Sequence, residues 1–260
     1  MNKIKINRLG EEKMNNQNIL MKIINYNNAN DIIVEFQDEY KGNVHTSYTN
    51  FSKGLVKNPY SPSVCGVGIN GTKYPMCIDG VPIKEYRIWI HMIERCFGKK
   101  RKKSNHTYQN VICCDEWLLY ENFYEWLHRQ ENFNKWLNNE NWDIDKDILI
   151  KGNKIYSPDT CVLVPHNVNC LFLKCKKSRN TLPIGVEEVK GKFYSYCNNP
   201  FDNEIKKHLG IFETKTKAFY AYKNYKENLI KQVANNEYQK GNITQKCYQA
   251  MIDYKVEITD

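Results

Sequence analysis

Hydrophobic positions change their period twice along the chain. Before residue 20 there is little to follow: the text is polar and rich in Asn, and it reads as a loosely held arm. From Met21 the segments MKIINY and DIIVEF alternate apolar and polar side chains, with the turn formers NNAN between them. That alternation is the pattern of paired antiparallel strands. VHTSYTNF continues it, and KGLVKNPYSPS closes it with Gly and Pro. A small β module over 21–60 is expected, followed to about residue 80 by a hairpin or linker. The stretch CGVGINGTKYP within that linker has no phosphate-loop pattern.

From Pro82 the period becomes helical. In IKEYRIWIHMIERCF, residues Ile83, Tyr86, Ile90, Ile93 and Phe97 recur at near-helical spacing with Trp89 alongside. Gly98 and a basic run end that helix. DEWLLYENFYEWLHRQ gives a second helix with Trp117, Tyr120, Phe123, Tyr124 and Leu127 on its apolar face. WDIDKDILIKGNKIYSPDTCVLVPHNVN, residues 142–169, reads as a strand ending in closely spaced acids, a polar loop, a second strand, and a helix opening on asparagines. Beyond Arg179, three short strands are expected at 186–189, 193–197 and 208–212, separated by the turns KGK and NNPFDNE. Thr214 is placed to cap a long helix with an apolar stripe of Ala218, Tyr222, Tyr225, Leu229 and Ile230. A short helix at 244–252 and a strand-like KVEI finish the chain. The expected fold class is α+β: a small N-terminal β module, a central helical segment with a strand–strand–helix unit, and a C-terminal three-stranded antiparallel sheet packed on a helix.

Composition narrows the function classes. The mean hydropathy of −0.68, with no apolar run near membrane-spanning length, argues against a membrane span. The basic MNKIKINR has no apolar stretch behind it, so no secretory signal is expected and the protein is read as cytoplasmic. The ten cysteines lack C-x-x-C pairs, and the one close pair is the adjacent Cys113 and Cys114. Reduced, mostly buried thiols are expected, and the spacing does not favour a structural zinc site. The net charge of +9 comes from Lys far more than Arg. It is concentrated at Lys99, Lys100, Arg101, Lys102 and Lys103, and again at Lys174, Lys176, Lys177 and Arg179. Two such runs, one on each side of residues 142–169, favour a polyanionic partner through release of its counterions.

The C-terminal block, GVEEVKGKFYSYC through HLGIFETKTKAFYAYKNYKE, resembles the DNA-binding domain of the plant Apetala and ethylene-response factors, related copies of which are appended to many phage and mobile nucleases. The resemblance implies a three-stranded sheet lying in the major groove with the helix packed behind it. Strand alternation gives the exposed face Lys192, Tyr194, Lys206 and His208. The plant domains read bases with Arg and Trp, whereas this chain has neither after Arg179. Bidentate guanine readout therefore lacks its side chain, and phosphate anchoring with weak sequence preference is expected.

The middle block, from Tyr86 to about Phe172, resembles the phage-borne HNH homing endonucleases. The resemblance rests on W..M..RCF, then CDEWLLYENFYEW, then IDKDILIKGNKIYSPDTCVLVPHNVN. With the RLGEE-to-NPY module and the C-terminal block, it spans nearly the whole chain. Taken with the arm at 1–20 and the β module and linker at 21–80 read from the pattern, it implies an HNH-like ββα domain at 81–178 and an Apetala-type domain at 179–260. It further implies a metal-dependent endonuclease acting on double-stranded DNA. In such a site a divalent ion, Mg or Mn, stabilises the departing 3′-oxygen while a histidine deprotonates the attacking water.

Matched residue by residue, Asp145 stands at the first metal-ligand position and Asn169 at the helix ligand. Lys146 stands at the general-base position, where an ammonium with a pKa of about 10.4 has no capacity to accept a proton. The alternatives are Asp147 as a carboxylate base, or His166 from one helical turn before Asn169. His91, His106 and His128 lie outside the motif. The asparagine that braces the base has no obvious counterpart, and Thr160 lies nearest. Asp143, Asp145 and Asp147 alternate and are expected on one face, where they need a cation or lysines to neutralise them. Two other readings stay open: a DNA-binding protein on a decayed nuclease scaffold, and a phage protein that binds a host protein.

Overall fold

Strand pairing begins earlier than the apolar pattern does. The computed structural model describes residues 7–173, 182–202 and 206–260, with the backbone alone at His106. They cluster into two compact units, one up to Leu127 and one from His128 onward. Both helices and strands are well represented, so the chain is of the α+β class. Among the described residues, no helix is long and apolar enough to cross a membrane.

The first unit opens with a four-stranded antiparallel sheet in the order β1 (Glu12–Met14), β2 (Leu20–Asn28), β3 (Asp31–Phe36) and β4 (Asn43–Thr46). Residues 12–14 and 20 are thus strand, joined by a turn, where an arm was expected over 1–20; residues 1–6 lie outside the described residues. All three β1 side chains are exposed; its pairing runs through the backbone and one ion pair, Glu12 with Lys22 at 2.9 Å, and leaves no apolar signature. Behind it, the buried Asn15 accepts from the amides of Gln17 and Ile19, both at 2.9 Å, and donates to Val56 O at 3.1 Å. The inner face of β2 and β3 buries Met21, Ile23, Ile32, Val34 and Phe36 against Phe51 and Val56. The strand expected through VHTSYTNF stops at Thr46. Ser47 accepts from Asn50 N and caps α1 (Tyr48–Ser52), because its hydroxyl satisfies an amide that a strand would not leave open.

Helix α2 (Lys84–Phe97) buries Glu85, Trp89, Met92, Ile93 and Cys96. Of the five stripe positions expected from sequence, only Ile93 is fully buried, so the helix is rotated about its axis from the expected face. The rotation is set by Trp89, whose Nε1 donates to Trp117 O at 2.8 Å and whose ring lies 5.4 Å from that of Tyr120. The basic run does not merely terminate α2: it forms a helix of its own, α3 (Lys99–Ser104), after Gly98. Trp117, Tyr120, Phe123 and Leu127 are buried as expected, the last three on α4 (Tyr120–His128), whereas Tyr124 is half-buried.

The second unit starts with α5 (Phe133–Leu137). Strands β5 (Trp142–Asp145) and β6 (Val162–Pro165) pair antiparallel, and α6 (His166–Cys170) follows directly. A three-stranded antiparallel sheet comes next, in the order β7 (Val186–Val189), β8 (Lys192–Asn198) and β9 (Lys206–Phe212). Then come α7 (Lys215–Gln239), capped by Thr214, and α8 (Gln245–Ile252), capped by Thr244. The strand-like KVEI is not a strand. Val256 is buried but its amide donates to Glu227 Oε1 at 2.8 Å, which takes it out of any ladder.

Helix α7 serves two cores. Its first half, at Ala218, Phe219 and Tyr222, packs beneath the three-stranded sheet against Val186 and Cys197. Its second half, at Leu229, Ile230, Val233 and Ala234, packs with Cys247 and Met251 against Ile148, Val162, Val164, Val168 and Leu171. Side chains from the α5 region close this second core. Asn132 Nδ2 donates to Leu163 O at 2.8 Å, and Lys135 Nζ donates to Lys240 O and Gly241 O, each at 2.8 Å, at the end of α7. The compact unit therefore spans the boundary expected at 178/179, because α7 and α8 supply half of the core beneath β5 and β6.

Candidate functional site

The β5–β6 hairpin is held by alternation and burial. Trp142, Val162, Leu163 and Val164 are buried, while Asp143, directly opposite Val164, is half-exposed. At Pro165 the chain turns into α6, and the His166 amide donates to Asn141 O at 2.8 Å. Residues 166, 169 and 170 then share one side of the helix turn.

Three of these side chains meet Asp143 or each other. Asp143 Oδ2 accepts from His166 Nδ1 at 2.7 Å and from Asn169 Nδ2 at 2.9 Å. A carboxylate only accepts, so Nδ1 carries the proton and Nε2 of the neutral ring is an acceptor. Cys170 Sγ lies 3.4 Å from Nε2 and donates to it. Burial, then the charge of Asp143, pushes the Cys170 thiol up, which keeps that proton on sulfur. The His166 side chain is 60% exposed, so its ring is held from behind and open in front.

The other motif residues are arranged differently from expectation. Asp143, Asp145 and Asp147 do not share a face, because β5 ends at Asp145 and Asp147 lies in the bend beyond it. Asp145 is buried, and its Oδ1 accepts from the amides of Asp147 at 2.8 Å and Ile148 at 2.7 Å. Asn169 meets Asp143, and Asp145 braces its own loop. Lys146 Nζ donates to Asp147 Oδ2 at 3.1 Å and lies 5.8 Å from the centre of the Tyr156 ring, with its side chain only 12% exposed. Lys146 and Asp147 thus neutralise each other.

Sequence reasoning missed Asn153, which braces the loop between the strands. Its Nδ2 donates to Lys146 O at 2.6 Å and to Ile155 O at 2.7 Å, closing the loop between the strands. The signal was the turn dipeptide in IKGNK, with Gly152 at φ +80° just before it. Thr160, the expected stand-in, instead donates to Ile155 O at 2.7 Å. Thr160 still serves Ile155 O in Asn153→Ala, so the variant is expected to lower stability by ~1–3 kcal/mol through the lost bond to Lys146 O, read as a shift in the denaturant midpoint.

Asp145 also predicts a pH dependence. Burial, then repulsion from Asp147, pushes its carboxyl up to about 6, against about 3.9 in an unfolded chain. Between those values the folded state binds more protons than the unfolded one, so stability falls as pH rises from about 4 to about 6 and is level above. Asp145→Asn keeps an oxygen for both amides and has no charge to bury. Thermal melts of the two proteins across that range are expected to diverge, with the wild type losing on the order of 1–3 kcal/mol relative to the variant. Cys161 and Cys247, whose thiols burial pushes up to about 12, share the Asp145 side of this core.

The remaining histidines are placed elsewhere. His91 belongs to the first unit, where burial pushes its imidazole down. The His128 ring packs 4.0 Å from that of Phe133. Nothing is described of the His106 side chain. Among the described residues, no three His, Cys, Asp or Glu side chains group to hold a metal ion.

The outer face of the three-stranded sheet carries Lys192, Tyr194, Lys206 and His208 together, and Tyr196 with them. Sequence reasoning left out Tyr196, although it alternates with Tyr194. Lys192 pairs with Glu213 and Lys206 with Glu187, each at 2.6 Å. In the first unit, Lys99, Lys100, Arg101 and Lys103 are exposed on α3, with Arg101 3.9 Å from Glu94. Lys102 is half-buried and donates to Gln109 O at 3.4 Å. Lys174, Lys176, Lys177 and Arg179 lie outside the described residues. No family model, curated protein or solved structure matches this chain.

Proposed function

We propose that the chain is a DNA-binding protein of HNH type whose β5–β6–α6 unit hydrolyses phosphodiester bonds with His166 as general base. The observation that carries this is the single oxygen Asp143 Oδ2, which takes both His166 Nδ1–H and an Asn169 amide proton. A carboxylate on Nδ1 fixes the tautomer and turns an acceptor Nε2 outward, the arrangement a water-activating imidazole needs. Before it accepts a proton from water, Nε2 must release the weak contact from Cys170. Asn153 adds support by closing the loop that joins the two strands, through Lys146 O and Ile155 O.

The donor set fits a hard divalent ion. Asp143 and Asn169 offer oxygen atoms beside His166, and Mg²⁺ binds through few protein ligands, keeping waters and substrate phosphates for the rest. Such an ion would supply charge stabilisation at the departing 3′-oxygen. Asp145, engaged by two amides, acts here as a loop brace and not as the first ligand. The binding-only reading keeps one specific observation in its favour: Lys146, at the usual base position, is tied to Asp147.

The test is plasmid nicking with Mg²⁺ or Mn²⁺. Metal-dependent nicking that survives Asp145→Asn but is lost in Asp143→Ala and Asn169→Ala supports the assignment. Salt-sensitive duplex binding with no nicking by the wild type leaves a binder and removes the enzyme.

A further inference from the structure

Sheets with one solvated face alternate apolar-in with polar-out. The three-stranded sheet breaks that rule on its outer side. Tyr194 and Tyr196 occupy successive outward positions of its central strand, with rings 6.4 Å apart and parallel to within 9°. His208 sits on the neighbouring strand directly opposite Tyr196, its ring 5.1 Å from Tyr196 and 5.9 Å from Tyr194. Lys206 Nζ stands 4.1 Å from the centre of the Tyr196 ring. Ile211, paired with Tyr194, is 53% exposed, and Val189, paired with Lys192, is 47% exposed. The inner face is already filled by α7, so these rings are not the spillover of a core.

We infer that this face binds the unpaired bases of a single nucleic-acid strand by stacking. An intact duplex hides its base faces and offers only edges and phosphates. Base edges are read by Arg, Asn and Gln in bidentate contacts, and no Arg follows Arg179 in this chain. Flat rings on adjacent strands suit the exposed faces of unstacked bases, the usual basis of single-strand recognition on a sheet. The charge is complementary: Lys192 and Lys206 stand at two corners of the ring cluster, on a chain of net charge +9. Their pairs with Glu213 and Glu187 are solvent-exposed and therefore cheap to exchange for phosphate. This site stands apart from cleavage: it requires no metal and no His166, and it is tested by binding alone.

The test is fluorescence anisotropy of the full chain with labelled oligothymidylate, oligouridylate of equal length, and a blunt duplex at matched salt. Both single strands are expected to bind more tightly than the duplex and to quench tyrosine fluorescence. The stronger of the two identifies DNA or RNA as the physiological strand. Tyr194→Ala and Tyr196→Ala are each expected to weaken single-strand binding about five- to a hundredfold. Tyr196→Phe, which keeps the ring, is expected to bind like the wild type. Lys206→Gln is expected to reduce the salt slope by about one. Should an alanine variant melt early, Tyr196→Leu, which covers the sheet without a ring, replaces it. Duplex binding as tight as single-strand binding, or alanine and leucine variants that bind like the wild type, overturns the inference while leaving nicking by the other site unaddressed.

Discussion

Replacing His166 by Ala is expected to lower Mg²⁺-dependent plasmid nicking by about 10²- to 10⁴-fold, the usual contribution of a positioned general base. The side chain is 60% exposed and serves no core, so the loss is expected without a matching loss of stability. Asp143→Asn is expected to reduce nicking too, because a carboxamide does not fix which imidazole nitrogen holds the proton. Lys146→Met is the decisive companion. Its ammonium faces Asp147 and not the His166 cluster, so nicking is expected to persist within a few-fold. Nicking retained in His166→Ala but abolished in Lys146→Met would return the base to the residue the resemblance first points to.

The largest effect on stability is expected from Ile230→Ala. Ile230 is 1% exposed on α7, in the core that also holds Val162, Val164 and Val168. Truncating a buried isoleucine costs about 2–5 kcal/mol, from lost burial plus the cavity left behind. Helices α7 and α8 supply half of the buried side chains in the core beneath β5 and β6. Faster hydrogen exchange is therefore expected in the β5–β6 amides and in the β7–β9 amides together, because one helix underlies both. Acceleration confined to β5 and β6 would show instead that the two ends of α7 open independently.

What could be read from sequence followed the strength of each local signal. The three C-terminal strands and the Thr214 cap were legible because alternation and a capping hydroxyl act on neighbouring residues. Strand β1 was not, since a strand with no buried side chain, held by backbone pairing and one exposed ion pair, carries no apolar alternation. The face of α2 was misjudged because one long-range bond, Trp89 to Trp117 O, sets its rotation. At the site the relevant positions were visible, but their partners were not. Asp145 and Asp143 look alike in a strand, and only the turn at Asp147 and Ile148 gives one of them two amides to accept. Asn153 sits in a loop whose closure, and so whose role as brace, exists only in three dimensions.

Helix α7 runs for 25 residues with no Gly or Pro, and so has no point at which to bend. Phe219 lies under the sheet and Leu229 under the β5–β6 hairpin, ten residues apart on the same rod. At 1.5 Å per residue that is a spacing of about 15 Å. A displacement of the helix at one core is therefore felt at the other, so the sheet and the hairpin keep their spacing as one piece.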